Sequence, residues 1–373
     1  MIKKVTFYGI STSVSRGTAL LCLPLLTNAL SLSEFGLYSI VQVVVLVVSE
    51  ILNLGGVVAV LREGGRESGA GYKLLRDYSL ISITISALLI IAVMLFASST
   101  YALYMLVALI ACAESIHNLI LAYLRSMDYE NWYFTFASVK SFGILTTILA
   151  SIYMKYNLQA LLICQLFVYV MLAIISMIII YSNHNKLSPC NISILKTLPY
   201  SLFLIPHGVS QWILSGSDRL IIKKILDSQQ VGIYSIAYTL SMVIMLLNSG
   251  LALALPQHLF QNYDTWLNTN IRAKLIKMYS FATILIFIGV QLYLKLDRAF
   301  LHYIKYYQRD MPLLIGLISS GLYLLGVYYF YVNYIFYHKK TKNLACITAI
   351  TSIINVSLTF VLVNIYGIVG AAI

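Results

Sequence analysis

Long apolar runs, separated by gaps too short to hold a folded domain, follow one another along the whole chain. Eleven can be drawn, at 5–30, 36–54, 78–97, 101–125, 133–154, 157–182, 197–217, 230–256, 275–296, 312–337 and 343–366. Each is close to or above the ~20 residues that cross a bilayer core as a helix. Hydrocarbon offers no partner to a backbone N–H or C=O, so runs of this length must satisfy those groups within themselves, as helices. Apolar residues make up 60% of the 373 and charged residues only 10%, against ~25% charged in an average soluble domain. This excludes a water-soluble enzyme, a disulfide-rich secreted scaffold and a disordered chain. The expected fold is an all-α polytopic membrane protein of about eleven spans. After Gly367 the chain reads Ile-Val-Gly-Ala-Ala-Ile, as the start of a twelfth span would, so a truncated copy or an eleven-helix variant is expected.

Net charge is +12, with 25 Lys and Arg against 13 Asp and Glu. The basic residues sit mostly in the gaps, where they orient the chain and meet anionic headgroups, and not on one face as nucleic-acid binding would require. With the N-terminus cytoplasmic, fifteen basic residues fall inside and eight outside, while Arg16 and Lys140 lie within spans. The bias favours that orientation. Cys22, Cys112, Cys164, Cys190 and Cys346 form no CxxC, and four of them lie in apolar runs, where cysteine packs as a small hydrophobe. No metal or cofactor is expected. The opening Met1-Ile2-Lys3-Lys4 has the look of a secretory signal, with cleavage after Ala29 as one reading. The apolar stretch is long and has Arg16 at its middle, so a retained first helix is the expectation.

One short pattern recurs. Gly36-Leu37-Tyr38-Ser39-Ile40 opens the second run and Gly232-Ile233-Tyr234-Ser235-Ile236 opens the eighth, six spans later. Asn53-Leu54-Gly55 and Asn248-Ser249-Gly250 are expected to close the two runs, with a one-residue offset. Six helices return a chain to the same side of the membrane, so a duplication implies two parallel-repeat bundles about an axis along the membrane normal. The polar stretch 183–189 is the expected linker. It divides the chain into an N-terminal six-helix bundle, 1–183, and a C-terminal bundle, 184–373, of five helices and the start of a sixth.

These residues resemble the polysaccharide-exporter branch of the multidrug/oligosaccharidyl-lipid/polysaccharide superfamily, the Wzx-type flippases. The resemblance rests on Leu30-Ser31-Leu32-Ser33-Glu34-Phe35-Gly36-Leu37-Tyr38-Ser39, on Gly216-Ser217-Asp218-Arg219-Leu220-Ile221-Ile222 with Val231-Gly232-Ile233-Tyr234-Ser235, on the region of Asn355, and on Tyr366-Gly367-Ile368-Val369-Gly370-Ala371-Ala372. It implies a two-bundle transporter in the bacterial inner membrane, carrying undecaprenyl-diphosphate-linked oligosaccharide repeat units from the cytoplasmic to the periplasmic leaflet for O-antigen or another surface polysaccharide. Polysaccharide assembly proteins are the implied partners. Members of the family usually have twelve or more helices.

Ionisable groups within spans are costly, ~2.5–3.5 kcal/mol each at mid-bilayer on insertion scales, and mark cavities, pathways or partners. Arg16 falls about 2–3 Å from the centre of the first run and Lys140 about 5 Å from that of the fifth, at ~1.5 Å rise per residue. Glu114, His117 and His207 share the same slab. An arginine grips a diphosphate through paired hydrogen bonds and a lysine adds a point charge. Arg16 and Lys140 are therefore the expected diphosphate ligands, with His207, Gln211 and Asn248 meeting the sugars. Glu114, with His117 beside it, is the expected site for a coupling proton or sodium ion. The competing reading pairs Glu114 with Lys140 or Arg16 as a structural pin and makes the histidines interhelical hydrogen-bonding groups. Arg219, Lys223 and Lys224 form a basic outer loop expected to attract phosphates at the exit, or merely to flank the membrane. No phosphate-cradling glycine loop, nucleophile triad or HExxH occurs, so no enzyme is expected. Two alternatives to the flippase stay open: a cation-coupled multidrug antiporter of the same superfamily, and a membrane-embedded polymerase or glycosyltransferase.

Overall fold

The structure is a computed structural model that describes residues 2–64, 68–96, 101–184, 192–202, 205–261, 269–301, 304–337 and 341–373. Of Arg16 and His207 only the backbone is described. The described residues are helical, with no strand among them. Among the described residues, eight helices are long and apolar enough to cross a membrane. The bent pair Ser228–Ser241 and Ile244–Ala252, with 56° between its halves, makes a ninth, while Gly17–Ala29 is a shorter apolar stretch. Two of the eleven expected runs are not in this count: the first, one continuous helix Ile2–Ala29 whose side chains are described only in part, and 197–217, which is divided.

Local chemistry explains the interruptions. Helix Leu32–Leu52 starts four residues before the apolar run because Ser31 and Glu34 close a capping box. The Glu34 amide donates to Ser31 Oγ at 3.3 Å, and the Ser31 amide donates to Glu34 Oε2 at 3.0 Å. The helix ends where Asn53 Oδ1 accepts the Gly55 amide at 2.8 Å and Leu54 and Gly55 take left-handed φ values of 49° and 71°. The chain resumes as a short helix, Gly56–Gly64, where a loop was expected. The run at 197–217 is two helices, Ile194–Leu202 and Ile205–Ile225. The second continues through 219–224, so the basic exit loop expected there is helical. Asn248-Ser249-Gly250 does not close the eighth run. It lies inside helix Ile244–Gln261, and the break comes earlier, at Met242 and Val243. The linker expected at 183–189 falls largely outside the described residues.

The chain forms two compact units, Ile40–Gly216 and Met1–Ser39 with Ser217–Ile373. This partition groups the first helix with the C-terminal residues and differs from the 1–183 and 184–373 halves inferred from the linker. In Ile40–Gly216 the core is Ala59, Val60, Leu74, Leu75, Tyr78, Leu119, Ile120 and Tyr123, where Gly56–Gly64 meets helices Ser68–Phe96 and Tyr101–Ser126. Gly64 and Gly71 allow two of these backbones to touch: a Cβ on Gly71 would lie 2.9 Å from the Gly64 Cα. Hydroxyls tie the helices where hydrophobic contrast with lipid is lacking. Ser82 Oγ gives its proton to the Leu52 carbonyl at 3.0 Å, so Ser115 donates to Ser82, also at 3.0 Å.

In the other unit, helices Ile244–Gln261, Thr269–Leu296 and Met311–Tyr337 close around Leu255, Tyr279 and Phe330. Helix Thr269–Leu296 widens into a π turn, Asp297–Leu301, and the buried Asp297 carboxylate accepts the Ile304 amide at 3.1 Å. After helix Thr341–Tyr366, Gly367 reverses the chain with φ 62° into the short helix Ile368–Ala372. That helix folds back so closely that a Cβ on Gly370 would sit 2.0 Å from the Leu362 carbonyl oxygen.

Tyr78 shows how such ties add up. Its hydroxyl lies 3.0 Å from Thr197 Oγ1 and 3.2 Å from Ser201 Oγ, and both partners give their own protons to helix carbonyls, so Tyr78 is the donor to the pair. Tyr78→Phe is expected to lower stability by about 0.5–1.5 kcal/mol, the net worth of one such bond, read as a lower midpoint in detergent unfolding. Gly56→Ala, whose Cβ would meet the Tyr78 ring at 2.6 Å, is expected to cost more.

Candidate functional site

A tight turn with Asp128 at φ 57° joins helices Tyr101–Ser126 and Glu130–Met154 and brings Glu114 opposite Lys140. Lys140 Nζ donates to both Glu114 carboxylate oxygens at 2.7 Å and stands 5.1 Å from the centre of the Tyr169 ring. Glu114 is only 4% exposed. One turn along from it, His117 is 1% exposed, and neither ring nitrogen has a hydrogen-bond partner. One turn from Tyr169, Gln165 Oε1 accepts from Gln42 Nε2 at 3.3 Å. Helices Leu32–Leu52, Tyr101–Ser126, Glu130–Met154 and Leu158–His184 all contribute to this polar belt. The carboxylate cancels the ammonium charge, the pairing that the competing reading of Glu114 and Lys140 describes.

The second polar constellation lies in the unit formed by Met1–Ser39 and Ser217–Ile373. Arg219 is buried, 8% exposed, on helix Ile205–Ile225 and not in a loop. Its Nε donates to Ser235 Oγ at 3.2 Å and its guanidinium lies 4.5 Å from the Tyr238 ring centre. Asp218 accepts the Tyr234 hydroxyl and the Arg219 amide. Ser235 Oγ is in turn 2.7 Å from Ser39 Oγ, its counterpart 196 residues earlier. Ser39 gives its own proton to the Gly36 carbonyl at 2.9 Å, which fixes the direction of the chain: Arg219 to Ser235, Ser235 to Ser39, Ser39 to Gly36.

Both helices that meet here begin with matched caps, Ser31 for Leu32–Leu52 and Asp227 for Ser228–Ser241, where Asp227 Oδ1 accepts the Gln230 amide at 2.8 Å. Their glycines face each other's backbones reciprocally. A Cβ on Gly36 would lie 1.9 Å from the Ser228 carbonyl oxygen, and one on Gly232 would lie 2.5 Å from that of Leu32. Leu32 and Ser228 are also a matched pair, so the recurring pattern packs against itself about a local two-fold. The sequence carried the spacing. It carried no sign that the copies touch.

Among the other expected site residues, Asn248 is an interhelical tie: its Nδ2 donates to the Leu322 carbonyl at 2.9 Å and its Oδ1 accepts from Tyr279 at 2.8 Å. Tyr279 stacks on Tyr323 with ring centres 5.6 Å apart. Gln211 is exposed on helix Ile205–Ile225, as are Lys223 and Lys224 in its last turn. The side chains of Arg16 and His207 lie outside the described residues. Tyr169, Tyr234 and Ser235 were not singled out as site residues, because tyrosine and serine are ordinary in apolar helices and only their neighbours give them a role.

Solved structures share this helical membrane fold. The inward-facing conformation of a multidrug resistance MATE family transporter of the MOP superfamily is 14% identical, with 97% of this chain and 89% of that chain covered and a TM-score of 0.65. The outward-facing conformation of such a transporter gives 13%, 99% and 90%, and 0.68. The lipid II flippase MurJ in its inward closed conformation gives 16%, 99% and 83%, and 0.69. Residues 1–256 match the family of polysaccharide biosynthesis proteins, and the chain belongs to that family. No curated protein matches the chain.

Removing one member of a buried ion pair strands the other, at about 3–5 kcal/mol, whereas replacing both is far less costly. Glu114→Gln and Lys140→Met are each expected to lower thermal stability in detergent markedly, and the double variant to recover most of the loss. Additive losses would show that the two groups do not hold one another.

Proposed function

We propose that this protein moves a diphosphate-linked oligosaccharide on a polyprenyl lipid from the cytoplasmic to the periplasmic leaflet of the bacterial inner membrane, for surface polysaccharide assembly. The observation that carries this reading is the match of residues 1–256 to the polysaccharide biosynthesis family. Its fold likeness to MurJ, a lipid II flippase, supports it. The lipid tail stays in the bilayer while the headgroup crosses by alternating access, with the N-terminus cytoplasmic. Arg16 and Lys140 hold the diphosphate, His207 and Gln211 meet the sugars, and Lys223 and Lys224 attract phosphate at the outer surface. Asn248, spent on two interhelical hydrogen bonds, has no place among the sugar ligands in this reading. Lys140 engages a diphosphate by exchanging it for Glu114. The freed carboxylate then needs a new counter-charge, which a proton or sodium ion supplies. Moving negative charge out of a negative cytoplasm is favoured by ~2.3 kcal/mol per charge per 100 mV.

A multidrug antiporter is the second reading, favoured by the pairing itself: the Glu114 carboxylate could receive a cationic drug once Lys140 is displaced. The two separate in cells. Deletion is expected to abolish surface polysaccharide and to accumulate lipid-linked repeat units on the cytoplasmic side, with the wild-type gene restoring both. Drug sensitivity with intact polysaccharide would overturn the flippase reading. Arg16→Ala, and Lys140→Ala combined with Glu114→Ala to avoid a stranded charge, are each expected to reduce export about tenfold, the worth of one charge-assisted hydrogen bond. Full surface-polysaccharide assembly in both would defeat the diphosphate clamp.

A further inference from the structure

We propose that Gln42, held in place by Gln165, is a ligand for the sugar next to the diphosphate in the transported headgroup. This rests on the reading of the protein as an exporter of lipid-linked saccharide, and it adds a sugar contact within Ile40–Gly216, the unit that holds Lys140. Gln42 is the one polar residue between Ser39 and Ser49. It is also the middle residue of helix Leu32–Leu52, which places it near mid-bilayer. Hydrocarbon offers an amide nothing to bond, so an amide at that depth is costly unless protein or a wet path meets its polar groups.

The bond to Gln165 meets only part of that need. Gln42 Nε2 donates to Gln165 Oε1 at 3.3 Å, and this is the one hydrogen bond of the Gln42 side chain among the described residues. Its carbonyl oxygen and second amide hydrogen are left over, and Gln42 is half-buried where Gln165 is buried. Asn248 shows the contrast with a purely structural amide. It is buried and uses both ends, donating to the Leu322 carbonyl and accepting from Tyr279. Gln42 instead presents one acceptor and one donor side by side, a pattern that neighbouring hydroxyls on a sugar ring complement. A phosphate would meet the donor alone, and a cationic drug the acceptor alone. Position fits the same ligand. Gln165 and Tyr169 lie one turn apart on helix Leu158–His184, about 6 Å along its axis. Lys140 Nζ stands 5.1 Å from the centre of the Tyr169 ring, and Gln42 is bonded to Gln165. The Gln42 amide is thus set off from the diphosphate ligand by about one helical turn, a separation that one sugar ring attached to the diphosphate spans.

The test uses the purified full-length protein in lipid nanodiscs and two probes: lipid-linked saccharide extracted from cells lacking the gene, and undecaprenyl diphosphate without sugar. The wild type is expected to bind the first more tightly. Gln42→Leu is expected to weaken binding of the saccharide-bearing lipid about tenfold, the loss of one to two neutral hydrogen bonds, and to leave binding of the sugar-free lipid unchanged. The sugar-free lipid thereby also reports that the variant is folded. Should Gln42→Leu not fold, Gln42→Ala carries the same expectation. A wild type that binds both lipids equally, a variant that keeps the wild-type preference, or a variant that binds both lipids more weakly to the same degree would each overturn the sugar ligand and leave Gln42 a tie between helices. A wild type that binds neither lipid would overturn the exporter reading, and the sugar ligand with it.

Discussion

A hydrocarbon surrounding offers no hydrogen-bond partner, and this constraint shapes the protein at every scale. It makes the apolar runs helical, because only a helix satisfies a backbone internally. It also governs the side chains. Tyr78, Ser82, Asn248 and Tyr279 each find a partner on a neighbouring helix, and Glu114 meets Lys140 with both oxygens. Packing alone discriminates poorly between one apolar helix and another when lipid tails are as apolar as leucine. These polar ties therefore set which helices are neighbours and at what height.

The positions of most helices were legible because apolar length is a strong signal. The places where a helix stops were less so. Asn53-Leu54-Gly55 closes its helix as expected, through left-handed backbone at Leu54 and Gly55 and the Asn53 side chain. Asn248-Ser249-Gly250 carries nearly the same cue and stays helical, since Asn248 is drawn to Leu322 and Tyr279 on other helices. Tertiary partners decided between two similar strings. Arg219 was misread as a loop residue for a related reason. Charge count marked 219–224 as an outer loop, yet Ser235 and the Tyr238 ring give a buried guanidinium the partners it needs within a helix.

The candidate site was partly visible. Glu114 and Lys140 stood out as ionisable groups at similar depth, and pairing was one of two readings offered for them. Their bidentate geometry makes the pair neutral and turns a search for an isolated cation into a question of exchange between carboxylate and phosphate. His117 sharpens that question, for a buried imidazole without a partner lies one turn from the carboxylate.

The recurring pattern holds a further consequence. At the spacing that matches Ser39 to Ser235, the residues aligned with Asp218 and Arg219 are Cys22 and Leu23. The joint is thus two-fold in its backbone and one-sided in its charge. Two copies of the first half would cross at glycine with no guanidinium to orient the serines. Two copies of the second would bring two arginines toward one serine pair, where like charges in a weakly screening interior repel. The two copies of the pattern are therefore not interchangeable in this joint: one brings the guanidinium and the other receives the orientation it sets.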